Sequence, residues 1–304
     1  FWLKPCRNAR FLASLQSQCS VMCQVGVPQR VNYESAFVWT GEVLPRVGIA
    51  GGVIGAVLSV TTIPQVVRTS GGSMPNPHYS MYLRMFAMLW WTAAVLKTIQ
   101  YATLRETKLA LDTVVHPAAS TMISFGVVGT LFQSAIYNTC IAQMYQIHSG
   151  QSAPRLGLQK YLSSLSPGIV WCFGRETFCM GGGMYLGPVI KASLADQLDR
   201  SGVHVPEYPL RFVSGFFSGA CTALGTQWMH NTTLFAGRLA AAGESREAHH
   251  YTLSSLRLAH KEMGLGLLTE NFRHRLALIA GAVALLNTVD IYHRPDVKLL
   301  ALRV

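Results

Sequence analysis

Charge is scarce in this sequence, and negative charge scarcer still. Asp, Glu, Lys and Arg make up 13% of the 304 residues, with 14 acidic against 25 basic. A soluble domain carries roughly 25% charged residues, so this composition argues against a water-solvated surface. Half of the chain is hydrophobic and its mean hydropathy is +0.28, which points to a bilayer. Cysteine is also sparse and odd in number, at seven. Cys140, Cys172, Cys179 and Cys221 fall inside apolar runs, where they pack as small hydrophobes, so no disulfide framework is expected. Cys19 and Cys23 have no second pair. His249-His250 and His260 have no carboxylate or thiol at ligand spacing, so no metal site is expected. Walker loop, nucleotide-binding GxGxxG, HExxH, catalytic triad and paired acid/base carboxylates are all missing, and neither enzymatic activity nor a cofactor is expected. The net charge of +11 is spread along loops without interleaved aromatics, which excludes a nucleic-acid module and leaves anionic lipid as its partner.

The charges that are present bound long uncharged runs at 47–67, 113–154 and 212–237, with shorter ones at 85–96, 161–174, 177–190 and 276–289. A bilayer needs about 20 apolar residues per helix. The run from Thr113 to Pro154 holds one span plus the turn-forming Ser149-Gly150-Gln151-Ser152. Six spans are expected. Residues 1–30 carry Lys4, Arg7, Arg10 and Arg30 with no acid, the balance of a mitochondrial targeting segment. Lys and Arg divide too evenly between alternate loops for orientation to be read from them.

Three spans open alike. Gly51-Gly52-Val53-Ile54-Gly55 begins the first, Gly126-Val127-Val128-Gly129 the third and Gly215-Phe216-Phe217-Ser218-Gly219 the fifth. Glycines three or four apart let membrane helices approach closely, and their recurrence marks an internal repeat. Each is followed by a loop and a second span beginning near an arginine: Arg84, Arg175 or Arg275. The unit is span, loop, span, three times over.

This organisation resembles the mitochondrial carrier family, six-helix proteins with threefold pseudosymmetry about a central cavity. The likeness is clearest in the third repeat. There Tyr251 to Glu262 resembles the amphipathic matrix helix, Lys261–Leu267 resembles the turn into the last span, and Asp290 with His293 and Arg294 resembles the pair closing an even-numbered helix. The resemblance implies an all-α, multi-pass protein of the mitochondrial inner membrane. It divides the chain into an extension at 1–45, carrier-like repeats at 46–112, 113–205 and 206–296, and a tail at 297–304, with cardiolipin as a bound lipid.

The family's signature places a proline, an acid two residues on and a base three further on at the end of each odd helix, so that salt bridges between repeats close the cavity. Here the corresponding positions are Pro64, Val66 and Thr69; Asn138, Cys140 and Gln143; and Trp228, His230 and Thr233. No repeat keeps the charged pair. The first loop, with its Pro/Gly cluster at 71–77, cannot hold a matrix helix.

Loss of the gate in every repeat leads to the first expectation: a carrier fold that no longer transports and serves as an accessory subunit of an inner-membrane assembly such as a respiratory complex or ATP synthase. The alternative is a transporter of small anionic or amino-acid-like metabolites with an unconventional gate, using Arg84, Arg175, Glu176 and Arg275 as cavity residues. Arg175-Glu176 carries the sharpest signal. Either Arg175 sits at the membrane boundary with its head in water, or it forks onto a substrate carboxylate. His230 is either a hydrogen-bonded core residue or a proton-linked element. The glycine-rich stretch before Pro188 serves as a hinge or permits tight packing.

Overall fold

A computed structural model describes residues 38–69, 79–136, 168–241 and 253–292. Cys19, Cys23, the 71–77 cluster, Asn138, Cys140, Gln143, His249, His250, His293 and Arg294 lie outside the described residues. For Pro64, Val66, Thr69 and Arg84 only the helical backbone is described. The protein is mostly helical, with no strand among the described residues.

A π-helical turn at Trp39–Val43 runs into α1 at Leu44–Thr69, the join falling just before Pro45, which has no N–H to give to the preceding turn. Next come α2 at Tyr79–Leu111 and α3 at Pro117–Ile123. Pro117 opens α3, and the side chain of His116 accepts from the Ala118 N–H. A π-helical turn at Ser124–Gly129 extends α3 to Ile136. A third π segment, Glu176–Gly181, joins α4 at Ile169–Arg175 to α5 at Gly182–Arg200 as one continuous rod. Then follow α6 at Glu207–Gly225, α7 at Gln227–Ala241, α8 at Leu253–Met263, the single turn α9 at Gly266–Thr269, and α10 at Phe272–Val289.

Among the described residues, two helices are long and apolar enough to cross a membrane, over Trp39–Ile63 and Pro117–Ile136. Six spans were expected; the described helices depart from the uncharged runs on which that number rests, and the departures have physical causes. The α2 rod runs 33 residues, straight through Lys97, Arg105 and Glu106, because Lys97 and Arg105 lie on its packed side and Glu106, which is exposed, pairs with Arg105. The uncharged run 212–237 is not one helix, since it breaks at Thr226, between α6 and α7. That break falls two residues before Trp228.

The glycine repeats are sites of helix contact. A Cβ on Gly55 would stand 2.7 Å from the backbone nitrogen of Ala94 in α2, and one on Gly51 would meet Thr98. Cβ atoms on Gly215 and Gly219 would stand 2.8 Å from the Cα atoms of Ala284 and Ala280 in α10. Gly126 faces Thr177 and Phe173 on the α4–α5 rod, while its companion Gly129 makes only ordinary contacts. The first and last glycine pairs thus press their helices onto another long rod, and in the middle pair Gly126 alone does so. The glycines before Pro188 also permit packing: Gly181 faces Met122 and Phe125, Gly183 faces Val283, and Gly187 faces Asn287. The helix continues unbroken through Pro188.

The rods pack in chain order and the last returns to the first. Gln100 of α2 donates to the carbonyl of Gly129 at 3.3 Å, Ser218 of α6 donates to that of Gly183 at 2.7 Å, and Arg46 of α1 donates to that of Val289 at 2.7 Å. One apolar cluster joins Val47 and Ile54 of α1, Tyr101 and Leu104 of α2, Phe125 of α3, Met184 of α5, and Val283 and Leu286 of α10.

Large apolar side chains face outward at helical spacing: Ile49, Val53, Val57 and Val60 on α1, Trp91, Val95 and Ile99 on α2, and Phe212, Phe216 and Phe217 on α6. Buried positions meanwhile include Lys97, Gln100, Arg105, Gln133, Arg175, Glu176, Asn231 and Arg275. A water-soluble protein distributes these groups the other way.

Candidate functional site

The inward-facing polar groups converge on a central cavity. Its walls come from α1 (Thr61, Thr62), α2 (Lys97, Gln100, Tyr101), the α3 extension (Gln133), the α4–α5 junction (Arg175, Glu176), α7 (His230) and α10 (Arg275). Apolar caps are Ile54, Leu58, Phe125, Met180, Leu278 and Ile279. Its free volume is about 60 Å³, several times the roughly 10–15 Å³ that one water occupies. Three cations and one carboxylate face this space.

Arg175 and Glu176 share it because of the π segment that starts between them. In a regular α-helix, neighbouring residues diverge around the axis; an i→i+5 bulge widens the turn and is frequent at functional sites. Both side chains are 7% exposed. The boundary reading of Arg175, with its head in water, is therefore overturned. Its guanidinium donates to Glu176 from Nε at 3.0 Å and from Nη2 at 2.8 Å, to Cys172 Sγ at 3.1 Å, and from Nη1 to His230 Nδ1 at 3.3 Å. His230 is thereby a hydrogen-bonded interior group that also lines the cavity.

Arg275 enters from the first turn of α10 into the break between α6 and α7. It donates to the Ala223 carbonyl, to Thr226 Oγ1 at 2.6 Å and to Gln227 Oε1 at 3.1 Å. The helix break exposes carbonyls that the guanidinium satisfies. Among the described residues, no carboxylate lies within ion-pair distance of Arg275. Lys97 donates to Gln100 Oε1 at 2.8 Å and to Gln133 Oε1, with its ammonium 5.7 Å from the Tyr101 ring. Of the residues expected from the sequence, Arg175, Glu176, Arg275 and His230 meet here. Lys97, Gln100 and Gln133 are additions. Lys97 ends the uncharged run 85–96, which makes it read as the start of a loop; the length of α2 puts it inside.

At the expected gate in the third repeat, Trp228 packs edge-on against Trp171 with ring centroids 5.4 Å apart. Trp171 Nε1 donates to Ser255 of α8 at 2.9 Å. Thr233 bonds only its own helix, to the Met229 carbonyl. Asn231 donates to the Leu267 carbonyl at 2.9 Å and Gln227 to that of Glu270 at 2.7 Å, pinning α7 to the turn around α9. These contacts form an aromatic and amide lock that ties α7 to α4 and to the turn around α9, with α8 bonded to α4.

Ion pairs gather at the opposite end of the rods. Glu207 accepts from Lys191 at 3.1 Å and from Arg211 at 2.7 Å, and Arg211 pairs with Asp290 at 2.8 Å. The bonds from Arg211 and Lys191 hold the Glu207 carboxyl below its ordinary range. Nearby, Lys108 pairs with Asp112 at 2.7 Å, Asp112 accepts from Ser120, and the Lys108 ammonium stands 5.2 Å from the Tyr292 ring. Burial, then the neighbouring Asp112, pushes the Tyr292 phenol above its usual range.

The described residues contain no cluster of three or more metal-ligating side chains. Cys172 and Cys179 are buried free thiols and Cys221 an exposed one. No protein family, curated protein or solved structure matches the chain.

Proposed function

We propose that the chain is a multi-pass protein of the mitochondrial inner membrane, built from three carrier-like helix pairs at 46–112, 113–205 and 206–296, that binds and moves a small anionic or amino-acid-like solute. The observation that carries this reading is the cavity where Lys97, Arg175 and Arg275 face one carboxylate, Glu176, inside a bundle whose outer surface is apolar. Charges inside a bilayer are expensive and are kept where they handle ions or substrates. The outward bands on α1, α2 and α6 fit contact with lipid, and cardiolipin, implied by the family resemblance, is the lipid partner.

The test is uptake by liposomes containing the full chain, offered labelled carboxylates, amino acids and nucleotides. Exchange is expected for at least one solute and lost in Arg275→Ala and Arg175→Ala. Absence of uptake across the panel sinks the transport reading.

A second reading is favoured by the lock at Trp171, Trp228 and Ser255. Rigid packing in place of reversible ion pairs suits an accessory subunit of a larger membrane complex that no longer cycles. Gently solubilised membranes separate the two on native gels: a subunit comigrates with a high-mass assembly, whereas an autonomous carrier runs alone.

A further inference from the structure

Among the described residues, two that line the cavity each keep a buried nitrogen with no hydrogen-bond partner: His230 Nε2 and Arg275 Nε. Nearly all buried polar groups are satisfied, so each exception calls for a cause. Arg175 fixes the chemistry of the first. A guanidinium has donors only, so its contact with His230 Nδ1 at 3.3 Å makes Nδ1 the acceptor. The imidazole is then neutral and its single proton lies on Nε2, on the opposite side of the ring. Arg275 carries a proton on Nε in every state. Its Nη groups are occupied by Ala223, Thr226, Gln227 and Cys179, which leaves Nε–H over.

We propose that His230 is a solute-contacting residue whose Nε2–H, together with Arg275 Nε–H, receives the oxygens of a small oxyanion, either a carboxylate or a phosphate. The inference rests on the solute-binding reading of this cavity and assigns its contacts. The Arg175–Glu176 pair acts one step behind as the positioning group that holds the histidine in its donor tautomer. The site rejects cations twice over, since its two waiting groups are donors and a guanidinium carries one of them.

The experiment uses the full chain purified in detergent, with thermal stabilisation titrated against succinate, acetate and inorganic phosphate. His230→Leu removes the donor. His230→Gln keeps an acceptor for Arg175 and an N–H beyond it. The expected result is stabilisation of the wild type by at least one anion, affinity about tenfold weaker or worse in His230→Leu, as for loss of a hydrogen bond to a charged group, and affinity within about threefold of wild type in His230→Gln. Succinate and acetate without phosphate assigns a carboxylate; phosphate without them assigns a phosphate. Should the leucine variant fail to fold, nitrogen-15 histidine spectra of the wild type, assigned by difference from His230→Gln, replace it, and Nε2 of His230 shifts on addition of the anion while Nδ1 stays. Unchanged affinity in His230→Leu, a glutamine variant as weak as the leucine one, or a silent Nε2 overturns the assignment to His230 while leaving solute binding intact through Arg275. No stabilisation of the wild type by any of the three overturns both.

Discussion

Gly52 and Gly55 are three residues apart on α1 and make opposite predictions for the same substitution. A methyl on Gly55 would sit 2.7 Å from the Ala94 nitrogen and 2.8 Å from its Cα, whereas one on Gly52 meets nothing within 4 Å. Ordinary contact begins near 3.4 Å, and the obstruction is α2 backbone, which no rotamer change removes. The α1–α2 crossing must therefore open by several tenths of an ångström along its length. Overpacking of this kind costs about 1–3 kcal/mol, partly offset by the roughly 0.8–1 kcal/mol that alanine gains over glycine in a helix. Gly52→Ala receives the gain without the cost. The two variants should differ by about 2 kcal/mol, or roughly 4–8 °C in melting temperature at the two to four degrees per kcal/mol typical of large domains. The assay is thermal unfolding of the purified full chain by circular dichroism and by thiol exposure. Gly219→Ala, which meets α10 at 2.8 Å, should behave like Gly55→Ala. If Gly55→Ala melts at or above Gly52→Ala, the helix-contact account of the repeat is wrong.

Glu207→Gln should lose its stability difference from wild type in acid. The carboxyl is held down in the folded state, so its contribution is complete above its unfolded value near pH 4.3 and disappears as pH falls through the folded value; melting temperatures of the two proteins therefore converge below about pH 4. Arg275→Ala leaves the Ala223 carbonyl, Thr226 and Gln227 in a buried site without their donor, and about 2–4 kcal/mol of lost stability is expected from chemical denaturation. Trp228→Ala removes the contact with Trp171; accelerated protease cleavage between α7 and α8 should follow while the ion pairs around Glu207 persist, and unchanged cleavage would count against the lock.

Two of the three glycine pairs were readable as helix contacts because glycine spacing reports backbone approach directly: Gly51/Gly55 and Gly215/Gly219 mark crossings that the fold uses. Helix lengths were less readable. Hydropathy treats a charge as the end of a span, but Lys97 lies inside α2, where neighbouring Gln100 and Gln133 accept its protons. The break at Thr226 left no charge or proline in the sequence and is supported by Arg275, 49 residues away in the chain. Arg175-Glu176 stood out as a site because two charges between apolar runs need a reason. Their common direction depends on a π segment, and nothing in the residue types of Glu176–Gly181 announces one. His230 was visible as a residue and invisible as a donor, since its tautomer follows from its contact with Arg175.

The length of α2 also bears on voltage. At 1.5 Å per residue its 33 residues span about 50 Å, and Lys97 stands about 27 Å along it from Tyr79. On the membrane-spanning reading proposed above, the cavity would lie close to half depth in the bilayer. An anion reaching it from either face would then cross roughly half of the transmembrane field, which is worth about 1.1 kcal/mol per unit charge for every 100 mV. Occupancy by a monoanion would change several-fold over that range with no moving part, and the membrane potential itself would act as an effector of this site.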